Sequence, residues 1–170
     1  MLIAVATRSE AETRQVGAAL ASTLRVGDVV GIDGDLGVGK TRLVQGLVSG
    51  LGGSIADVTS PTFTLLHEYA TDPPLTHADA YRLADSDEFL ALGISEQWED
   101  GIVVVEWADR VADALPRSAF RFRGAIDATT GDHRFEIRDP RADRLRPFAH
   151  RLRAFGAGLR VAISDEGTAD

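Results

Sequence analysis

The residues Val29-Val30-Gly31-Ile32, then Gly34-Asp35-Leu36-Gly37-Val38-Gly39-Lys40-Thr41, then Leu43, Val44, Leu47, Val48 and Leu51 decide the fold. The first four are a short apolar run of strand type. The next eight read G-x-x-x-x-G-K-T, the phosphate-binding P-loop. The last five recur at helical spacing, and Gly52-Gly53 ends that helix. Strand, glycine loop and helix is the order the motif requires. Glycines at 34, 37 and 39 admit backbone conformations closed to residues with a Cβ. The turn they allow aims successive N–H groups inward as a nest for phosphate oxygens. A helix beginning near Lys40 adds its N-terminal dipole, which favours the same anion.

A glycine-rich turn before a core helix is the bland alternative, and Lys40 argues against it. It is the only lysine in the chain, against seventeen arginines. Where arginine serves every other cationic position, the one lysine marks a place that needs a compact ammonium on a long stem. In a P-loop that ammonium reaches the β/γ-phosphates, and the Thr41 hydroxyl is placed to ligate Mg²⁺.

The chain has 170 residues, consistent with one domain large enough for a real core. It contains no cysteine, so disulfides and thiolate metal sites are excluded. No apolar run approaches membrane-spanning length, and residues 1–6 lack the features of a secretory leader, so a cytoplasmic location is expected. The net charge is −8 and uneven. Residues 138–160 hold seven Arg against two Asp, whereas residues 1–137 carry −10. Such an acidic body repels nucleic-acid phosphate, so any RNA is expected to be held by a partner.

The pattern predicts a first strand at residues 2–6. A helix follows, with Ser9 as N-cap and Glu12 completing a capping box. Pro61 forces an extended entry into a strand at 63–69. Residues 76–82 alternate, placing His77, Asp79 and Tyr81 on one face. A short helix spans 86–92 and closes at Gly93. Residues 102–106 are apolar on both faces, as in a buried central strand. Residues 119–138 read as a hairpin whose charged outward side chains suggest a sheet edge. A short helix starts near Pro147, with Leu145, Phe148, Ala149, Leu152 and Phe155 on its apolar face. The acidic residues after it are expected to be disordered.

Other site candidates follow from position. Glu106 ends the buried strand at the sheet edge where α/β ligands gather, and can hold Mg²⁺ or polarise water. Asp79 is a strand carboxylate in need of a partner. Ser60, Thr62 and Thr64 flank a Pro-fixed backbone and suit a switch-like segment, although two threonines are also ordinary strand formers. Trp107 is either an aromatic of the nucleotide site, an anchor for a partner, or a core side chain. The first helix, near residues 9–13, is a candidate to reach the base. His67, His77, His133 and His150 show no metal spacing and read as structural or solvated.

Four segments in this order resemble the TsaE (YjeE) family of bacterial P-loop ATPases. They are the P-loop, Ser60-Pro61-Thr62-Phe63-Thr64-Leu65, His77-Ala78-Asp79-Ala80-Tyr81-Arg82-Leu83, and Val105-Glu106-Trp107. The resemblance covers residues 1–138 and implies a small α/β fold with a mixed sheet and a P-loop ATPase site; with the elements read above, the expected architecture is a P-loop NTPase-like mixed β-sheet flanked by helices, with a C-terminal hairpin and a short terminal helix. Residues 1–138 would be the ATPase domain; residues 139–170 lie beyond the resemblance, as an extension whose basic helix, from its apolar face, is expected to dock on the acidic body in preference to meeting a partner or tRNA. The resemblance also implies a role in forming threonylcarbamoyladenosine next to the anticodon of tRNAs. The chain would work with a TsaD–TsaB pair, reset it between turnovers, and meet tRNA only through it. ATP and Mg²⁺ are the implied cofactors. ATP would lie on Asp35, Leu36, Gly37, Val38, Gly39, Lys40, Thr41 and Arg42. Thr41 and Glu106 would hold the metal. Lys40, Asp79 and Glu106 would be catalytic, with Ser60 to Thr64 as the switch. A signalling GTPase is disfavoured, because no N-K-x-D segment exists where Lys40 is the only lysine. A small-molecule kinase and a nucleotide-dependent binding module remain as alternatives.

Overall fold

The chain begins with β1 (Leu2–Thr7), α1 (Glu10–Ala21), β2 (Val29–Gly34) and α2 (Lys40–Gly50). Then come β3 (Leu66–Tyr69), β4 (Leu75–Asp79), α3 (Ser86–Ala91), α4 (Ile94–Asp100) and β5 (Ile102–Glu106). It closes with β6 (Phe120–Ile126), β7 (His133–Arg138), α5 (Ala142–Ala154) and β8 (Arg160–Ser164). This computed structural model describes residues 1–62, 64–155 and 159–164. Phe63, within the expected switch segment, and residues 165–170, within the expected disordered end, lie outside the described residues.

The eight strands form one mixed sheet in the order β3-β4-β5-β2-β6-β7-β1-β8. β4, β5, β2 and β6 run parallel, and the remaining neighbours are antiparallel. The parallel centre explains the all-buried β4 and β5, since helices cover both of its faces. On one face α1, α2 and α5 bury Val16, Leu20, Leu43, Leu47, Phe148 and Leu152 against the sheet. On the other, the segment from α3 to a 3-10 helix at Ala108–Ala114 buries Phe89, Ile94 and Val111 over β4 and β5.

The capping box forms with one change. Ser9 Oγ accepts the Glu12 N–H at 3.2 Å, but the Glu12 carboxylate accepts from the Arg8 N–H at 2.6 Å, one residue earlier than the motif predicts. α4 was not anticipated; it starts directly after Gly93, whose left-handed backbone (φ 74°) separates it from α3. β3 is shorter than the predicted 63–69, because Leu65 takes a left-handed backbone (φ 66°) that interrupts extension. β4 ends at Asp79 instead of Arg82. The Ala80 N–H still bonds the Glu106 carbonyl at 3.0 Å, and the chain then turns out to an exposed Tyr81.

The hairpin β6–β7 is interior to the sheet, not at its edge, because β1 pairs with β7 and β8 with β1. Its charges mark an open face. Phe120, Phe122, Phe135 and Ile137 point into the core, whereas Arg123, Arg134, Glu136 and Arg138 alternate outward. Residues expected to be an unstructured end include β8, which is paired along its length with β1.

α5 starts at Ala142, earlier than predicted, with Pro147 inside it. Leu145, Phe148, Ala149 and Leu152 are buried, and Phe155 is exposed at the C-cap. Its docking is electrostatic as well as apolar. Arg144 makes a forked pair with the buried Asp28, donating to Oδ1 at 2.7 Å and also to Oδ2. The same guanidinium donates to the Thr23 carbonyl at 2.8 Å and lies over the Phe120 ring. Hydrogen bonding to Asp28 holds the Arg144 pKa above its ordinary value.

α1 and α2 touch backbone to backbone. A Cβ on Gly17 would lie 2.1 Å from the Leu43 carbonyl oxygen, and one on Gly46 would lie 2.0 Å from that of Arg14. This contact sets where α2, and hence the P-loop, sits on the sheet. Gly46→Ala should therefore destabilise the protein even though alanine favours helix. The expected loss is about 3 kcal/mol, the upper range for forcing atoms into a packed core. Urea denaturation should show a lower midpoint at an unchanged slope.

Candidate functional site

The P-loop turn runs from Gly34 to Gly39 with left-handed backbone at Gly34, Gly37 and Gly39 (φ 131°, 84° and 98°). At Gly34 a Cβ would also strike the Gly124 carbonyl oxygen at 2.4 Å, so the close approach to β6 independently requires glycine. Val38 is fully buried and pins the loop from below. Lys40 opens α2 and folds back over the turn. Its Nζ donates to the carbonyls of Gly34 at 2.6 Å and Asp35 at 2.9 Å.

Lys40 is 6% exposed, and its ammonium lies 3.8 Å from the centre of the Trp107 ring. Burial pushes its pKa below the ordinary 10.5, opposed by the charges of Glu106 and Asp79. The aromatic face offers a further attraction to the cation. Trp107 also packs on Tyr81, with ring centroids 5.0 Å apart. Its own backbone is left-handed (φ 58°), a conformation costly for a bulky residue. The Trp107 N–H is tied to the Ile32 carbonyl at 2.9 Å, which fixes the turn out of β5.

β4 and β5 pair in parallel, with Asp79 opposite Glu106. Both carboxylates are buried at the same sheet edge. Glu106 Oε1 accepts from Thr41 Oγ1 at 3.0 Å and from His77 Nε2 at 3.0 Å. Asp79 holds the segment that precedes β3. Its Oδ2 accepts from Ser60 Oγ at 3.1 Å and Thr62 Oγ1 at 2.5 Å, and its Oδ1 from the Tyr81 N–H at 2.9 Å.

These groups surround a cleft of about 810 Å³. Of the sequence-predicted residues, Leu36, Gly37, Gly39, Lys40, Thr41 and Arg42 line it, as do Ser60, Thr62, Asp79, Glu106 and Trp107. Asp35 and Val38 contribute backbone to the loop and do not line the cleft. Thr64 is not brought in; its hydroxyl pairs with His67 Nε2 at 2.8 Å. From the first helix, Glu10 and Thr13 reach the rim, and Glu10 pairs with Arg42 at 3.0 Å.

Two histidines read as structural or solvated from sequence belong here. His133 lines the cleft from the start of β7. His77 is fully buried beneath it, bonded to Glu106. A signal for His77 was available, since i and i+2 share a strand face and Asp79 was already a candidate. None was available for His133, which the fold brings from the far hairpin.

Among the described residues, no cluster of three or more His, Asp or Glu side chains could hold a metal ion. Mg²⁺ takes one or two protein oxygens and completes its shell with phosphate oxygens and water. Thr41 Oγ1 and the Glu106 carboxylate are hard oxygen donors side by side. Nor, among the described residues, is any helix long and apolar enough to cross a membrane.

Residues 7–134 match the family described as threonylcarbamoyl adenosine biosynthesis protein TsaE. A Streptomyces coelicolor protein named tRNA threonylcarbamoyladenosine biosynthesis protein TsaE is 43% identical over 129 residues, spanning 74% of this chain and 85% of that one. A Bacillus subtilis protein of the same name is 37% identical over 128 residues, 74% of this chain and 77% of the other. The crystal structure of Bacillus subtilis YdiB aligns with a TM-score of 0.73 at 26% identity, covering 92% of this chain and 97% of that chain.

The three hydrogen bonds to Asp79 predict what its removal does. Asp79→Ala should free residues 58–62 and lower stability by about 1.5–3 kcal/mol, the range for losing hydrogen bonds to a charged group. Hydrogen exchange should accelerate in that segment and stay unchanged in α1 and α2.

Proposed function

This chain belongs to the TsaE family, and on that premise we propose that it binds and hydrolyses ATP with Mg²⁺ in the formation of threonylcarbamoyladenosine in tRNA. It works with a TsaD–TsaB pair, and hydrolysis resets that pair between turnovers. The observation that carries this reading is the meeting, in one cleft, of the lone lysine on the P-loop with the Thr41–Glu106 oxygen pair.

Each residue has a part that its surroundings support. The P-loop N–H groups and the start of α2 receive phosphate oxygens. Lys40 exchanges two backbone carbonyls for phosphate, and its buried charge gains a better counterion than a carbonyl dipole. Thr41 and Glu106 hold Mg²⁺, which supplies charge neutralisation at the β- and γ-phosphate oxygens when bound. Asp79 keeps Ser60 and Thr62 at the cleft, where a threonine hydroxyl can respond to the terminal phosphate. Trp107, with Tyr81 packed on it, lies against the lysine ammonium. The acidic body supports leaving tRNA to the partners.

ATP hydrolysis measured for the chain alone and with the TsaD–TsaB pair tests this. Weak turnover alone, raised by the pair and lowered at least about 100-fold by Lys40→Ala, is the expected result. No binding to the pair and no change in rate would end the partner assignment.

The lowered Lys40 pKa gives a second test. Phosphate favours the charged amine, so ATP binding is strongest where Lys40 is protonated. As pH rises through the depressed pKa the amine deprotonates, and affinity should fall at a pH below the ordinary 10.5. Titration calorimetry across the alkaline range should show that fall in the native protein and not in Lys40→Ala.

A further inference from the structure

We propose that His77 is a positioning residue for Glu106: its buried imidazole fixes the carboxylate so that it meets the ion and nucleotide in one orientation. The proposal rests on the ATP and Mg²⁺ reading above and assigns a residue which that reading leaves idle.

Four side chains stand in line. Tyr69 OH lies 3.5 Å from His77 Nδ1, His77 Nε2 lies 3.0 Å from Glu106 Oε1, and Thr41 Oγ1 lies 3.0 Å from the same oxygen. They come from three strands and a helix, so the contact is tertiary and not a local turn. A carboxylate only accepts, so His77 Nε2 carries the proton. The Tyr69 hydroxyl stands at the other ring nitrogen, Nδ1. Burial and the nearby Glu106 charge push the Tyr69 pKa up, which keeps that hydroxyl protonated.

Both protein donors land on Oε1, and neither engages Oε2. One oxygen is therefore anchored to the scaffold while the carboxylate borders the cleft. A glutamate has three side-chain torsions to lose, and an unanchored one would spread over several rotamers. The imidazole removes that freedom before a ligand arrives. A histidine or carboxylate behind a metal ligand commonly does this, and its loss lowers metal affinity or activity about 10–100-fold. A packing role alone would not need a donor aimed at this carboxylate from a side chain with no exposed surface.

Calorimetric titration of ATP, with and without MgCl₂, separates the possibilities. It should be run on the native chain, Glu106→Ala, His77→Leu and His77→Gln. In His77→Leu the gain in affinity from Mg²⁺ should drop about 10–100-fold, with Mg²⁺-free affinity unchanged. His77→Gln, which can place an N–H near the Nε2 position, should recover most of that gain. A gain retained in His77→Leu would overturn the positioning role and leave the ATP reading standing. So would an equal loss in Leu and Gln that tracks a lower melting temperature. No Mg²⁺-dependent gain in the native chain, or a gain surviving Glu106→Ala, would sink the metal reading and this proposal with it. Should His77→Leu not fold, Tyr69→Phe decides: a several-fold smaller Mg²⁺ gain supports the relay, and an unchanged gain refutes it.

Discussion

A carboxylate that is 2% exposed must be met by donors, and the burial of Glu106 organises this site. One donor comes from α2, through Thr41, and the other from β4, through His77. Meeting that demand binds the start of the P-loop helix to the parallel strands β4 and β5. Asp79 repeats the solution one strand over, drawing Ser60, Thr62 and the Tyr81 amide around a second buried acid. Each is held by hydrogen bonds from side chains or backbone of neighbouring elements, with its carboxylate at the border of the cleft.

The sheet divides by function as well as by direction. Its parallel part, covered on both faces, ends at the cleft and carries the chemistry-bearing side chains. Its antiparallel part is covered on one face and supplies support, with arginines and glutamate on the solvated side. Gly124 of β6 is the point where the two parts meet the loop, close beneath Gly34 and Val38. The last helix joins the same core through Leu145, Phe148 and Leu152 and through the Arg144–Asp28 fork, and the last strand packs Val161 and Ile163 against it.

Local patterns carried most of the reading from sequence. The P-loop, the Ser9 cap, the apolar run of β5 and the glycine stops each depend on a few adjacent residues, and each appears where expected. The misreadings depend on distant partners. Charges on β6 and β7 mark a solvated face as well as they mark an edge, and only pairing with β1 and β8 distinguishes the two. His77 looked ordinary because its partner lies 29 positions later in the chain. Thr64 looked equivalent to Thr62, but the left-handed Leu65 next to it breaks the extended run, and Thr64 pairs with His67 away from the cleft. His133 enters the cleft through strand order alone.

The solitary Lys40 also gives the molecule an unusual chemical handle. Apart from the amino terminus, the chain holds one primary amine, and burial lowers its pKa. More of it is therefore unprotonated near neutrality than of an ordinary lysine. An amine-directed acylating reagent small enough to pass Trp107 would tag, beside the amino terminus, the loop alone. The fraction labelled on the peptide that carries Lys40 would then read out how often that loop is open.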